Sequence, residues 1–218
     1  MKKMIFLFIP FFFFSIKAFS VEPEAIYKIM KNFYQNYPDT FTCEIDGDKL
    51  RSSIGSIPKD AVLDPKKMKI RLLFHKQWGS RVILEGVNEA FKDRFSYIEG
   101  VFEFIMPFMT NADYASFANK YVIFDGKKTH FKLKKKNTEG SFLEISFQEN
   151  PSSIPEVKEY KKEELITNIS IEYEKIDGYS MPVRLQVRYY EDSKVNMLKF
   201  NLTNFNFKPK ISEEDFLG

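Results

Sequence analysis

Cysteine and histidine are almost absent from this 218-residue sequence. A single cysteine, Cys43, excludes an internal disulfide bond, and we expect it to be a small half-buried apolar side chain. The two histidines, His75 and His130, are too few for a histidine-rich metal site. Both histidines alternate with apolar residues on predicted strands, so we expect their side chains at the surface. We predict no cofactor.

The sequence also lacks the short motifs of common enzymes. It contains no Gly-x-Ser-x-Gly elbow, no His-Glu-x-x-His pair and no glycine-rich phosphate loop. Asp46, Asp48, Asp60 and Asp64 do not follow the spacing of a calcium-binding loop. We therefore predict that the protein is not an enzyme. Because a pair of catalytic carboxylates needs no sequence signature, an exported enzyme stays open as an alternative.

An excess of either charge is missing once the first 20 residues are set aside. Those residues contain three lysines and no acid, and without them the basic and acidic side chains are equal in number. A nucleic-acid partner is therefore not predicted. A local basic cluster, Lys132 and Lys134–Lys136, is interpreted as a solvated strand face. Contact with anionic lipid headgroups or with an acidic partner is the alternative.

The first 20 residues have the three-part layout of a secretory signal peptide. Two lysines precede an apolar run over residues 5–14, and Ala18 and Ser20 supply the small residues of a cleavage site. The run is shorter than the ~20 residues needed to span a bilayer. We therefore expect cleavage after Ser20, export from the cytoplasm, a single domain over residues 21–218 and no stable membrane span.

An amphipathic helix is predicted at the start of the mature chain. Pro23 suits the first turn of a helix, and Pro38 disfavours a helical conformation in the residue before it. Between them, apolar residues recur at a spacing of three to four: Ile26, Ile29, Met30, Phe33 and Tyr37.

Alternating apolar and polar residues predict eight or nine strands, mostly joined by short hairpins. The strands fall at residues 40–45, 68–74, 81–85, 121–124, 129–135, 142–148, 169–174, 183–189 and 198–207. Asp125-Gly126 predicts a hairpin turn. The Ser, Gly and Pro content of 51–65 predicts a loop or a short edge piece, and Pro151 and Pro155 predict a long loop at 150–160. The apolar phase switches near Thr203-Asn204, which predicts a bulge.

Residues 88–119 are predicted to form two or three short helices, because Gly100 and Pro107 interrupt their helical apolar spacing. The stretch Val101–Met109 is almost wholly apolar, so this insert lies inside the fold or closes over it. The predicted fold is α+β. One curved antiparallel sheet forms an unclosed barrel, and the N-terminal helix and the insert cover its concave side.

Aromatic side chains are abundant, with 24 Phe, 11 Tyr and one Trp, and seven of the Phe lie in the first 20 residues. Phenylalanine-rich inward faces beneath an apolar insert are consistent with a hydrophobic cavity. The alternative is that these rings simply pack a dense core.

Several segments resemble the LolA/LolB/RseB-like superfamily of periplasmic lipoprotein carriers. At the C-terminal end these are residues 171–187, IEYEKIDGYSMPVRLQV, and residues 198–216, LKFNLTNFNFKPKISEEDF. Residues 121–131, YVIFDGKKTHF, are similar to a strand pair of these proteins. The opening, with a signal peptide, an amphipathic helix and the strand FTCEI at 41–45, is also similar.

The resemblance implies an unclosed barrel with helices on its hydrophobic side, and binding and transfer of a lipid or lipoprotein acyl chain. It also implies inner- and outer-membrane protein partners. Residues 98–109 are the candidate lid, with Arg51 and Arg71 both candidates for holding it. The alternatives are a regulatory module that binds a protein partner, as in the RseB-like branch, and the exported enzyme.

The predicted ligand-binding residues of the cavity and its lid are Phe33, Ile70, Leu72, Phe74, Val82, Leu84, Phe95, Ile98, Phe102, Ile105, Met109, Phe131, Leu133, Leu143, Ile145, Phe147, Ile171, Tyr173, Leu185 and Phe200.

Overall fold

The structure is a computed structural model that describes residues 21–217 except 105, 112, 150, 151, 192 and 193. The predicted signal peptide, its cleavage site and the predicted lid residue Ile105 lie outside the described residues. No helix of the described part is long and apolar enough to cross a membrane.

The described chain folds into one large sheet with helices packed against it. The α helices are α1 (Pro23–Gln35), α2 (Asp48–Ile54), α3 (Glu99–Glu103), α4 (Met106–Thr110) and α5 (Tyr114–Lys120). Short 3-10 helices lie at Lys59–Ala61, Glu89–Ile98 and Glu213–Phe216. The strands are β1 (Thr40–Asp46), β2 (Lys69–His75), β3 (Gly79–Glu85), β4 (Tyr121–Lys127), β5 (His130–Lys135), β6 (Ser141–Glu149), β7 (Ser152–Lys161), β8 (Glu164–Ile176), β9 (Tyr179–Glu191) and β10 (Lys194–Asn206).

All ten strands form a single antiparallel sheet in the order β3-β2-β1-β10-β9-β8-β7-β6-β5-β4. Strands that follow each other in sequence pair in the sheet, except β3 and β4, and β1 also pairs with β10 as the third and fourth strands of the order. β3 and β4 are the two terminal strands, and they do not pair with each other. The predicted class is therefore confirmed: an α+β fold with a curved, unclosed antiparallel sheet.

The hairpins follow local backbone chemistry. Asp177 and Gly178 both have positive φ, 49° and 89°, which is the combination that a two-residue turn needs to match the twist of its strands. The predicted bulge near Thr203-Asn204 is also confirmed. The β1–β10 register shifts beside Thr203, and Asn204 has a φ of 55°. This shift brings Phe205 onto the apolar side that Leu202 faced before it.

The prediction of a loop at 150–160 was wrong, because Ser152–Lys161 forms β7. The misleading residue was Pro155, since proline cannot donate to a sheet ladder. In the structure β7 pairs with β6 through Ser153 and again from Glu156, with a register shift between them. Pro155 falls within that irregularity, so a strand accommodates it.

Two other local predictions needed correction. The segment 51–65 was predicted to be a loop or a short edge piece. Its start belongs to α2, Lys59–Ala61 is a 3-10 turn, and Val62 forms an isolated β-bridge with Val87. The hairpin turn expected at Asp125-Gly126 lies further along, because β4 continues to Lys127 through a register shift. Asp125 adopts a φ of 47° there, so the turn signal marks a bulge.

Candidate ligand-binding site on the concave face

Helix α1 lies across the apolar side of the sheet and contributes its whole buried stripe to the core: Ile26, Tyr27, Met30, Phe33 and Tyr34. Gly126 on β4 permits the close approach. A Cβ at Gly126 would lie 2.6 Å from the Cβ of Phe131 and 3.1 Å from the Cδ1 of Ile26. The helix therefore sits directly on the β4–β5 hairpin.

The helical insert covers the same side with aromatic rings. Phe108 of α4 is fully buried, with its ring centroid 5.3 Å from Phe117 of α5 and 6.1 Å from Phe131 of β5. Tyr27 of α1 lies 4.9 Å from Phe117 and 6.4 Å from Phe108. We call Tyr27, Phe108, Phe117 and Phe131 the insert cluster. Its rings fill the space between the insert, α1 and the sheet.

A second aromatic group continues the apolar face toward β1, β2 and β10. Phe41 and Phe74 stack with their centroids 4.9 Å apart, and Tyr37 from the end of α1 meets both rings edge-on. Phe205 lies 5.9 Å from Phe41. The concave side is thus a continuous apolar layer from the insert to the middle of the sheet.

An open cleft of about 360 Å³ lies where the C-terminal half of α1 meets the ends of β6, β7 and the β8–β9 hairpin. Its lining is Ile29, Asn32, Phe33, Asn36, Tyr37, Phe147, Glu149, Ser152, Gly178 and Ser180. Apolar groups form its floor and amides, hydroxyls and one carboxylate form its rim. This volume is at the lower end of the range for small-molecule sites.

Two side chains of α1 hold the end of α4 by its carbonyl groups. The Tyr27 hydroxyl donates to the Asn111 carbonyl at 3.0 Å, and the Lys31 ammonium donates to the carbonyls of Met109 and Asn111. Asn111 is buried and donates to the Pro107 carbonyl at 2.6 Å. We call the Tyr27 and Lys31 contacts the α1 latch. Partial burial and nearby Lys76 lower the pKa of Lys31.

Solved structures share this architecture. A DUF1329 family protein from Desulfovibrio piger superposes with a TM-score of 0.51 at 12% identity, over 90% of this chain and 98% of that one. A LolA superfamily protein from Nitrosomonas europaea gives a TM-score of 0.50 at 8% identity, over 91% and 99%. The chain has a LolA-like fold.

A third structure, an outer membrane lipoprotein-sorting protein domain from Vibrio parahaemolyticus, has a TM-score of 0.45 at 10% identity over 88% of this chain and 95% of that one. The fold assignment rests on the first two. No protein-family model matches the sequence, and no curated protein matches it either. At these identities the similarity establishes the LolA-like fold and not a function.

Within the LolA-like fold, the described residues of the predicted site belong to one apolar interior. Most are buried, and the half-buried ones, Met109, Leu143, Ile171 and Tyr173, pack against the same core. Only Phe33 and Phe147 of the predicted set also line the cleft. Phe95 and the insert cluster occupy the space beneath the insert, so a ligand there must displace side chains.

Neither Arg51 nor Arg71, the two arginines predicted to hold the lid, forms a hydrogen bond with the described residues of the insert. Arg51 on α2 pairs with Asp46, and Arg71 on β2 pairs with Glu85 at 2.6 Å. The side chains that do hold the end of the lid region are Tyr27 and Lys31, and sequence analysis assigned this role to neither. The sequence does contain a signal for Lys31. It lies four residues after Tyr27 and three residues before Tyr34, which places the three side chains on one face of the helix.

The cysteine and the two histidines have structural roles. Cys43 is buried, and burial raises the pKa of its thiol. The ring of His75 stacks on Trp78 with centroids 3.7 Å apart, and His130 is half-buried beside Ser146. The described residues contain no group of three or more His, Cys, Asp and Glu side chains able to hold a metal ion.

Glu99 at the start of α3 joins the insert to the terminal strand β3. Its carboxylate accepts a hydrogen bond of 2.8 Å from the backbone N–H of Val82. Burial raises the pKa of this carboxyl group, although Arg81 acts in the opposite direction. The charged form is therefore disfavoured in the folded protein relative to the unfolded chain.

We expect Glu99→Gln to raise the free energy of unfolding at neutral pH, by less than about 1 kcal/mol. A raised folded-state pKa means that the native state binds more protons, so stability falls as pH rises through that window. The amide removes this cost and keeps the acceptor, and its advantage should shrink as the pH falls toward 4. Urea denaturation at neutral and acidic pH measures it.

The matched variant is Glu99→Ala, which leaves the buried N–H of Val82 without its acceptor and should cost about 1–3 kcal/mol. At neutral pH the expected order of stability is Gln above wild type above Ala. An alanine variant as stable as the glutamine variant would contradict the described contact.

Proposed function

We propose that this protein is a periplasmic carrier or chaperone that binds the acyl chain of a lipid or lipoprotein between its helices and the concave face of the sheet. In this proposal it performs no catalytic step. The observation that carries the proposal is the continuous apolar layer of an unclosed sheet, covered by short helices rather than by a second sheet.

Burial alone supplies enough driving force for an acyl chain. Each methylene removed from water contributes roughly 0.8 kcal/mol, so a chain of ordinary length offsets the displacement of several side chains. The described form is then the closed state, in which the insert cluster fills the space that the ligand takes. A ligand shifts the protein toward an open state to the extent that it binds the open state more tightly than the closed state.

The cleft beside α1 is the proposed point of entry. Ile29, Phe33 and Phe147 give it an apolar floor, and Phe33 contacts Phe147 directly with ring centroids 5.9 Å apart. An acyl chain that enters there passes the polar rim and then meets Phe33 and Phe147, which belong to the buried core. Its headgroup would stay among the polar rim groups of Asn36 and Ser180.

Two measurements on the purified chain starting at Val21 test the proposal. The first is native mass spectrometry after export into a bacterial periplasm, in which we expect a co-purified lipid. The second is titration with a fluorescent fatty acid, in which we expect saturable binding that an unlabelled fatty acid reverses. Absence of both a co-purified lipid and saturable binding would contradict a carrier.

Removing the α1 latch should make the apolar interior more accessible. In the double variant Tyr27→Phe and Lys31→Met, the ring and the aliphatic stem stay but the donors to the carbonyls of Met109 and Asn111 are lost. We expect unfolding free energy to fall by about 1–3 kcal/mol. We also expect the fluorescent fatty acid to bind about ten-fold faster, because the open state becomes more populated. Stopped-flow fluorescence measures the rate.

Lys28→Met is the matched control, because Lys28 lies on the exposed face of α1 and pairs only with Glu24 among the described residues. It should leave the binding rate unchanged. If the control and the double variant gave the same rate, the latch would not control access.

A further inference from the structure

One edge of the sheet carries a local excess of positive charge. Residues 120–136 run from the end of α5 through the β4–β5 hairpin and contain seven lysines and one acid, Asp125. The rest of the chain after residue 20 compensates this charge, so it is a property of this edge. We call these lysines the basic edge: Lys120, Lys127, Lys128, Lys132, Lys134, Lys135 and Lys136.

Most of the basic edge is not neutralised locally. Lys132 pairs with Asp125 at 2.8 Å, whereas the other six lysines form no salt bridge with an acidic residue in the described part of the chain. Glu144, the nearest acid on β6, is itself shared with Lys158 and His130. The positive charge is therefore free to act on a partner.

An apolar strip lies beside Lys132 and Lys134 on the outer face of the sheet, where Val122 pairs with Lys134 and Phe124 with Lys132. Val122 and Phe124 of β4 are 39% and 36% exposed although they are large and apolar. Phe124 contacts Phe142 of β6, and Phe142 stacks on Tyr160 of β7 with centroids 4.8 Å apart. Lys132 lies over the Phe142 ring at 5.6 Å.

We propose that the basic edge and this strip dock the protein on the surface of an anionic lipid bilayer. Exposed apolar and aromatic side chains insert at the headgroup level, while lysine stems lie along them and place their ammonium groups among the phosphates. A nucleic acid would not need the apolar strip, and the rest of the chain after residue 20 has more acidic than basic residues, so it provides no wider positive surface.

The position of the strip gives docking a consequence for the concave site. α5 leads directly into β4, and Tyr121 at the start of β4 stacks on Phe117 of the insert cluster with centroids 5.3 Å apart. A protein held by this edge therefore keeps the helical insert beside the bilayer. Docking itself needs no cargo, so its test is separate from that of the proposed function.

Sedimentation with vesicles tests the proposal. We expect the wild-type chain from Val21 to bind vesicles of phosphatidylcholine mixed with phosphatidylglycerol, weakly or not at all to phosphatidylcholine alone, and less as salt increases. Each lysine near an anionic surface strengthens binding about five-fold. The triple variant K134E/K135E/K136E should therefore bind at least about 100-fold more weakly.

The matched charge control is K49E/K59E/K66E, which reverses three exposed lysines of the α2 region and changes the net charge equally. It should keep most of the binding. A second pair separates the apolar contribution: V122S/F124S should weaken binding about ten-fold, whereas V195S/M197S, at exposed apolar positions of β10, should not.

Three results would overturn the proposal. The first is equal binding of wild type to neutral and anionic vesicles. The second is an equal loss of binding in K134E/K135E/K136E and in its charge control. The third is retention on immobilised heparin without binding to anionic vesicles, which would assign the basic edge to a soluble polyanion. Circular dichroism of each variant confirms that it is folded.

Discussion

Phe108→Ala is expected to lower the free energy of unfolding by about 3–5 kcal/mol, which is the usual cost of removing a buried phenylalanine ring. Phe108 is fully buried in α4 and lies within 6.5 Å of the rings of Tyr27, Tyr34, Phe117 and Phe131. Its removal leaves a cavity that α1 and the sheet cannot close. Urea denaturation followed by circular dichroism measures the loss.

Phe124→Ala is the matched control, since this phenylalanine lies on the outer face and is 36% exposed. It should cost about 1 kcal/mol or less, because little of the ring leaves a close-packed environment. If both variants lost the same stability, the insert would not be packed on the sheet as described. A selective loss in Phe108→Ala establishes that the insert is closed in the free protein.

Gly86→Ala is expected to lower the free energy of unfolding by about 3 kcal/mol, from backbone strain and overpacking together. Gly86 follows β3 directly and has a φ of 78°. A Cβ there would lie 2.7 Å from the Asp64 carbonyl oxygen and 2.8 Å from the Met68 nitrogen, and neither backbone atom can move away freely. The Gly86 carbonyl also accepts hydrogen bonds from Leu63 and Asp64.

Gly178→Ala separates the two causes. Gly178 has a similar φ of 89°, but no heavy atom lies within 4 Å of its added Cβ. The free energy of unfolding of Gly178→Ala should therefore fall by about 1–2 kcal/mol, because of the backbone conformation alone. Thermal denaturation of both variants measures the difference, and equal melting temperatures would show that the close backbone approach at Gly86 is not present in solution.

The strands were predictable where one face is apolar and the other polar, because the period of two is directly visible in the sequence. β9 is an example, with Val183, Leu185 and Val187 alternating with polar residues. The predictions failed where a local signal was overridden. Pro155 and Asp125 are residues typical of loops and turns, and both lie at strand irregularities that the pairing on either side accommodates.

The buried members of the site were predictable for the same reason, whereas the contacts that close it were not. Phe131 and Leu133 follow from alternation on β5 alone. The Lys31 contact joins residues 80 positions apart, and its acceptor is a backbone carbonyl that every residue possesses. Such a contact depends on where two helices meet, which no local pattern encodes.

The pairing of β1 with β10 has a consequence for how the protein matures. The first and last described strands are adjacent, so β2–β3 and β4–β9 are joined in the sheet only through the pairing of β1 with β10. Until β10 has been synthesised, β1 and β9 each expose an unpaired edge that invites association with other chains. Folding of the complete sheet therefore waits for β10, and a truncation that removes β10 should favour aggregation.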